Sequence, residues 1–158
     1  MRNKFIHSSA IIEPGAKMAE DVIVGPMSYI GSNVVLNSGV HIKNHVVVTG
    51  KTEIGKDTII FPFAVIGEIP QDLKFNGEQT SLRIGKRNQI REHVTINTGT
   101  VGGGGLTSIG NDCLFMTGSH VAHDAKIGDK VIVANCGAVA GHCIIEDDVI
   151  IGGLSGIH

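Results

Sequence analysis

An aliphatic side chain returns at every sixth position along most of this chain. The series runs Ile6, Ile12, Met18, Val24, Ile30, Leu36, Ile42, Val48, Ile54, Ile60 and Ile66. It resumes at Ile84, Ile90 and Ile96, and again at Ile109, where Phe115, Val121, Ile127, Val133, Val139, Ile145, Ile151 and Ile157 follow. Two residues before nearly every member stands a small or β-branched residue, as at Ala10, Val22, Ser28, Cys113, Ser119, Ala125 and Cys143. A small–x–aliphatic pair has a period of two, so both side chains fall on one side of a short strand. Directly after the aliphatic residue Gly is frequent, as at Gly25, Gly55, Gly85, Gly110 and Gly128. The pattern predicts a short strand per hexad and a corner at the glycine, which can take backbone angles that other residues resist. One hexad cannot bury its own inner face, but a stacked coil of them can.

The ruler breaks twice. Residues 67–83 hold Ile-Pro-Gln-Asp-Leu-Lys-Phe and no sustained aliphatic step, which predicts a loop thrown out of the coil. Residues 101–107, Val-Gly-Gly-Gly-Gly-Leu-Thr, predict a second and more flexible excursion. Gly-rich runs can cradle phosphates, but this one lacks the Lys-Ser/Thr of a P-loop and no helix is predicted after it.

Composition supports strands. The apolar residues are mainly Ile and Val, there is no Trp, and 22 of the 158 residues are Gly, which suits short strands and many tight corners. The length fits one domain. A net charge of −2 gives no electrostatic reason to expect a nucleic-acid or membrane-surface partner. No apolar run approaches the length of a membrane span, and no signal-peptide pattern opens the sequence. The three cysteines, Cys113, Cys136 and Cys143, are odd in number and form no Cys-x-x-Cys pair, which points to a reducing cytoplasm.

The repeat resembles that of the hexapeptide-repeat acyltransferases over all 158 residues. That resemblance implies an all-β fold, a left-handed parallel β-helix with three hexads per triangular coil. With three hexads per coil, Val121, Val139 and Ile157 share one face, and Ile96 and Ile66 join them if both loops interrupt the coil without replacing a hexad. His120 then points outward beside inward Val121. His123 falls at the following corner, His142 just past that corner one coil up, His158 at it in the next coil, and Asn97 one coil below. The first loop leaves from the same corner lower still. Four of the eight histidines are thus expected on one edge, while His7, His41, His45 and His93 fall elsewhere. Two chemistries suit such an edge. Clustered imidazoles can hold zinc, or a neutral imidazole can act as general base with a carboxylate such as Asp124 to orient it.

The resemblance narrows at five motifs: Ile-Pro-Gln-Asp-Leu-Lys-Phe, the stretch from Ile90 through the Gly-rich run, Ser-His-Val-Ala-His-Asp, Val-Ala-Gly-His-Cys, and Ile-Gly-Gly-Leu-Ser-Gly-Ile-His. Together they are similar to the UDP-N-acetylglucosamine O-acyltransferases, which open lipid A synthesis. This implies His123 as general base on the sugar 3-hydroxyl, Asp124 as its holder, and the Gly141 N–H as oxyanion donor. It implies substrate contacts from Gln71, Asp72, Lys74, His120, His142 and His158. Many relatives carry His where this chain has Asn97, which keeps hydrogen bonding but not titration. The implied partners are UDP-N-acetylglucosamine and an acyl carrier protein whose phosphopantetheine bears the 3-hydroxyacyl chain, with no metal and no further cofactor. A homotrimer with sites between subunits, in the cytoplasm of a Gram-negative bacterium, is implied too. The family continues beyond the position of His158 into further coils and a C-terminal helical domain, so a truncated chain is expected. The competing readings are a zinc hydratase of the carbonic-anhydrase type on the same helix, and a non-catalytic trimeric scaffold.

Overall fold

The computed structural model describes residues 4–158, and among them lie 23 short strands and a single 3-10 turn at Val101–Gly103. The strands fall into three sheets of eight, eight and seven, and each sheet takes every third strand of the chain. All pairings are parallel. Three hexads therefore make one coil, and the coils stack into a three-sided prism. Most strands are two residues long because each must turn a corner six residues after the last. Among the described residues no helix is long and apolar enough to cross a membrane.

The inward ladder is the ruler itself. Ile66, Ile96, Val121, Val139 and Ile157 stand in register one above another. Both excursions therefore interrupt the coil without replacing a hexad. The aliphatic positions from Val24 to Val139 are almost fully shielded, and Phe115 fills one of them completely buried. Ile and Val suit this interior because a branched β-carbon packs against its copies on a pleated surface. Each such side chain contributes about 1.5–3 kcal/mol by leaving water.

The loop boundaries differ from expectation. Gly67 and Glu68 continue the strand Val65–Glu68, and Ser81–Arg83 belong to the strand Ser81–Ile84, so the first loop spans only 69–80. Leu106 and Thr107 likewise belong to the strand Leu106–Ile109. The reason is that these strands extend back to the inward position two residues before Ile54, Ile84 and Ile109. Ser81–Ile84 pairs over four residues with both Lys51–Ile54 and Leu106–Ile109, and this buries Thr52, Leu82 and Thr107 above one another.

The corner glycines also play another part than expected. Gly85 and Gly110 have no positive φ; a β-carbon on either would lie 2.4 Å from the carbonyl oxygen of the glycine one coil up, Gly110 or Gly128. They are needed for close stacking of backbone on backbone. The left-handed conformation falls two residues later and is carried by side chains such as Asp112, Asp124, Lys130, His142 and Asp148, with φ between 56° and 64°. It costs an L-residue about 1–2 kcal/mol. Stacking holds it in place, since the N–H at this position donates to a carbonyl one coil below, as from His142 to His123 at 3.1 Å and from Asp148 to Asp129 at 2.9 Å.

Candidate active site

The corner that follows the strand His120–Val121 brings His123 and Asp124 together with His142. His123 is the first turn residue there and Asp124 the second, with φ 59°. Nδ1 of His123 lies 2.9 Å from Oδ2 of Asp124. The Asp124 side chain is wholly buried, whereas that of His123 keeps 16 % exposure. The pair thus presents one imidazole edge to solvent and hides its carboxylate beneath.

A buried carboxylate needs donors, and Thr100 supplies two. Its N–H donates to Oδ1 of Asp124 at 2.8 Å and its hydroxyl to Oδ2 at 2.6 Å. The Asp124 N–H donates in turn to the Thr107 hydroxyl at 2.8 Å. Burial pushes the Asp124 carboxyl toward its neutral form, but the Thr100 and His123 hydrogen bonds outweigh this and hold it below the usual carboxylate range. The motif reading missed Thr100 and Thr107. The available signal was two hydroxyls flanking the Gly run, a residue type that often caps a turn.

One coil up, Gly141 stacks over His123 and His142 over Asp124. A β-carbon at Gly141 would lie 2.6 Å from Cε1 of His123, so the imidazole occupies the space that any side chain there would need. At the neighbouring corner, the Asn111 and Asp129 N–H groups donate to the carboxylates of Asp129 and Asp147 one coil up. The Gly141 N–H takes no partner among the described residues. The His142 ring meets that of His123 edge-on, with centroids 5.0 Å apart, and its Nδ1 is 3.9 Å from Oδ2 of Asp124. His123, Asp124 and His142 offer ligand atoms within 4.8 Å of one another, a set that could hold a metal ion.

The other predicted residues are spread more widely. His120 stands on the strand face, where its Nδ1 meets the Thr95 hydroxyl at 2.7 Å, and burial depresses its pKa. His158 is not at the His123 corner position. The register Val121–Val139–Ile157 sets it above Ala140 and Ala122, one residue earlier, and it is exposed. Asn97 shares that earlier position one coil down. It is buried, and its amide donates to the carbonyls of Glu68 and Ile69 at 3.3 and 2.9 Å, which ties down the root of the first loop. That loop turns toward the N-terminal coils. Its residues Phe75 and Gly77–Gln79 close a cleft of about 630 Å3 with Lys17, Lys51 and Arg83, away from the histidines. Gln71 and Lys74 are exposed, and Asp72 accepts the Lys74 N–H at 3.0 Å. None of the three touches the His123 corner of its own chain.

Known proteins share this repeat and this coil. Residues 106–137 match the family described as bacterial transferase hexapeptide (six repeats). Over 100 residues the chain is 67 % identical to an acyl-[acyl-carrier-protein]–UDP-N-acetylglucosamine O-acyltransferase of Paracoccus denitrificans, covering 63 % of this chain and 38 % of that one. The structure of LpxA from Acinetobacter baumannii superposes with a TM-score of 0.95 at 51 % identity. The UDP-N-acetylglucosamine O-acyltransferase (LpxA) of Moraxella catarrhalis does so with 0.95 at 47 %. Each alignment covers 96 % of this chain and 59 % of the relative, so the chain spans about three fifths of the length of these solved proteins. The chain carries the repeat of the hexapeptide transferases over residues 106–137, and its coil is similar along nearly its whole length to the left-handed parallel β-helix of the solved UDP-N-acetylglucosamine O-acyltransferases.

Proposed function

We propose that this chain carries the catalytic edge of an enzyme that moves a 3-hydroxyacyl group from acyl carrier protein to the 3-hydroxyl of UDP-N-acetylglucosamine. The observation that carries the proposal is the His123–Asp124 pair lying against the Gly141 backbone. With Nδ1–H donating to Asp124, the bare nitrogen of His123 is Nε2. It takes the proton of the sugar hydroxyl as that oxygen attacks the thioester carbonyl carbon. The Gly141 N–H donates to the oxyanion that forms. Collapse breaks the carbon–sulfur bond, and the departing phosphopantetheine thiolate receives the proton from His123. Asp124 stabilises the imidazolium between these two steps.

His120, His142 and His158 line the same side of the helix and are assigned to the sugar nucleotide or the acyl chain. Asn97 contributes at the loop root. Gln71, Asp72 and Lys74 are assigned to the sugar nucleotide in a homotrimer whose sites lie between subunits, since they are remote from the histidines of their own chain. Lys74 beside a diphosphate is favourable electrostatics. A reducing cytoplasm is the assigned compartment, and the carrier's phosphopantetheine is the only prosthetic group involved.

The test is to incubate the protein with UDP-N-acetylglucosamine and 3-hydroxyacyl carrier protein and to seek acylated sugar nucleotide by mass spectrometry. Product that disappears in His123→Ala supports the reaction and the base. Absence of product, even after the remainder of a relative is appended to the chain, overturns it. The zinc-hydratase reading draws on the His123, Asp124 and His142 trio. It predicts stoichiometric zinc in the purified protein and hydration of carbon dioxide. The scaffold reading predicts an intact trimer with unchanged cellular function in His123→Ala.

A further inference from the structure

One carboxylate serves two imidazoles at this corner. Oδ2 of Asp124 is 2.9 Å from Nδ1 of His123 and 3.9 Å from Nδ1 of His142. A modest rotation of the carboxyl group would exchange the two, so its orientation decides which ring is polarised. That orientation is set from outside the repeat. The Thr100 N–H and hydroxyl engage one carboxylate oxygen each, at 2.8 and 2.6 Å, and two donors from one residue fix the carboxylate plane.

Thr100 is itself held by the Gly-rich run. It caps the 3-10 turn Val101–Gly103, its hydroxyl accepts the Gly103 N–H at 3.2 Å, and its carbonyl accepts those of Gly103 and Gly105 at 3.1 and 2.7 Å. Gly103 lies so close over the carboxylate that a β-carbon would stand 2.0 Å from Cγ of Asp124, and one on Gly99 would stand 2.7 Å from Oδ1. The N–H groups of Gly103, Gly104 and Gly105 are spent inside the turn, so this run is no phosphate cradle. Its glycines let the backbone close down on Asp124.

We propose that Thr100 is a positioning residue which assigns Asp124 to His123 in preference to His142, and so fixes the tautomer in which Nε2 of His123 is free to act as base. The catalytic half of this inference rests on the acyltransferase reading; the tautomer half does not.

The test uses the chain labelled with 15N, with long-range proton–nitrogen spectra reading the ring nitrogens of His123 and His142 at a pH where both are neutral. The unmodified chain should show His123 protonated on Nδ1. Thr100→Val keeps the backbone donor and the side-chain shape but removes the hydroxyl. It should move His123 toward the Nε2-protonated form and lower kcat about tenfold at unchanged KM, a part of the roughly 10²- to 10⁴-fold that a general base contributes. Thr100→Ser should restore both. An unmoved His123 pattern in a folded Thr100→Val chain overturns the proposal. If that variant does not fold, the unmodified chain still decides, because Nδ1 protonation on His142 and Nε2 protonation on His123 would overturn it as well. Tautomers that respond as stated in a chain with no acyl transfer would refute the enzymatic reading alone.

Discussion

Gly141→Ala should abolish most activity while leaving the helix folded. Gly141 does not have a positive φ, so alanine meets no backbone strain. Its β-carbon would sit 2.6 Å from Cε1, 2.8 Å from Nε2 and 3.0 Å from Nδ1 of His123. Ordinary contact needs about 3.5 Å, so the ring must retreat by about 1 Å. The 2.9 Å contact to Asp124 cannot survive such a shift as a good hydrogen bond. A 1 Å displacement in an active site costs about 10²-fold in rate, or about 2.7 kcal/mol of barrier. The stability change is smaller. Losing a hydrogen bond to a charged group costs about 1.5–3 kcal/mol, and replacing Gly by Ala at a compatible position returns about 0.4–1 kcal/mol through the unfolded chain. The assay is the initial rate of acyl transfer beside a thermal melt. Alanine retains the N–H at 141, so a large loss of rate would come from the displaced ring and not from a missing oxyanion donor. A rate within twofold of the parent would refute this reasoning.

Two further outcomes follow from titration and burial. The depressed His120 pKa means that the folded chain disfavours the charged ring, so stability should be full above the unfolded value of 6.5 and fall as pH drops below it. Asp124 adds a second, more acidic window, since stability from its depressed pKa is present above 3.8 and lost as pH falls through the folded value. Urea unfolding across pH should show both, and His120→Gln should remove the first alone. Among the cysteines, Cys136 is exposed whereas burial raises the Cys113 thiol to about 11. A thiol reagent at neutral pH should label Cys136 quickly and Cys113 only after unfolding; native labelling at equal rates would contradict the packing.

The six-residue step made the register legible, because a side chain that must point inward every six residues leaves little freedom to slip. It placed Ile66, Ile96, Val121, Val139 and Ile157 on one face across two loops, and it put His123 and His142 together. It could not show that the strands ending at Ile54, Ile84 and Ile109 begin two residues early, because Thr52, Leu82 and Thr107 stand at the same place in the hexad as the inward partner of any other strand. It set His158 one position late, because an exposed residue after the last inward one carries no pattern of its own. The glycines were legible as corners but not in their purpose, since close approach between coils is a property of the stack and not of one hexad. Thr100 was out of reach for a similar reason. It lies 24 residues from Asp124, and only the path of the Gly-rich turn brings them together.

Everything that surrounds the Asp124 carboxylate comes from the segment between Gly99 and His142. In a solenoid each coil leans only on its neighbours. Coils can therefore be gained or lost during evolution on either side of this segment without disturbing the hydrogen bonds inside it. The length of the prism and its outer surfaces can drift while this hydrogen-bonded corner is inherited as one cassette.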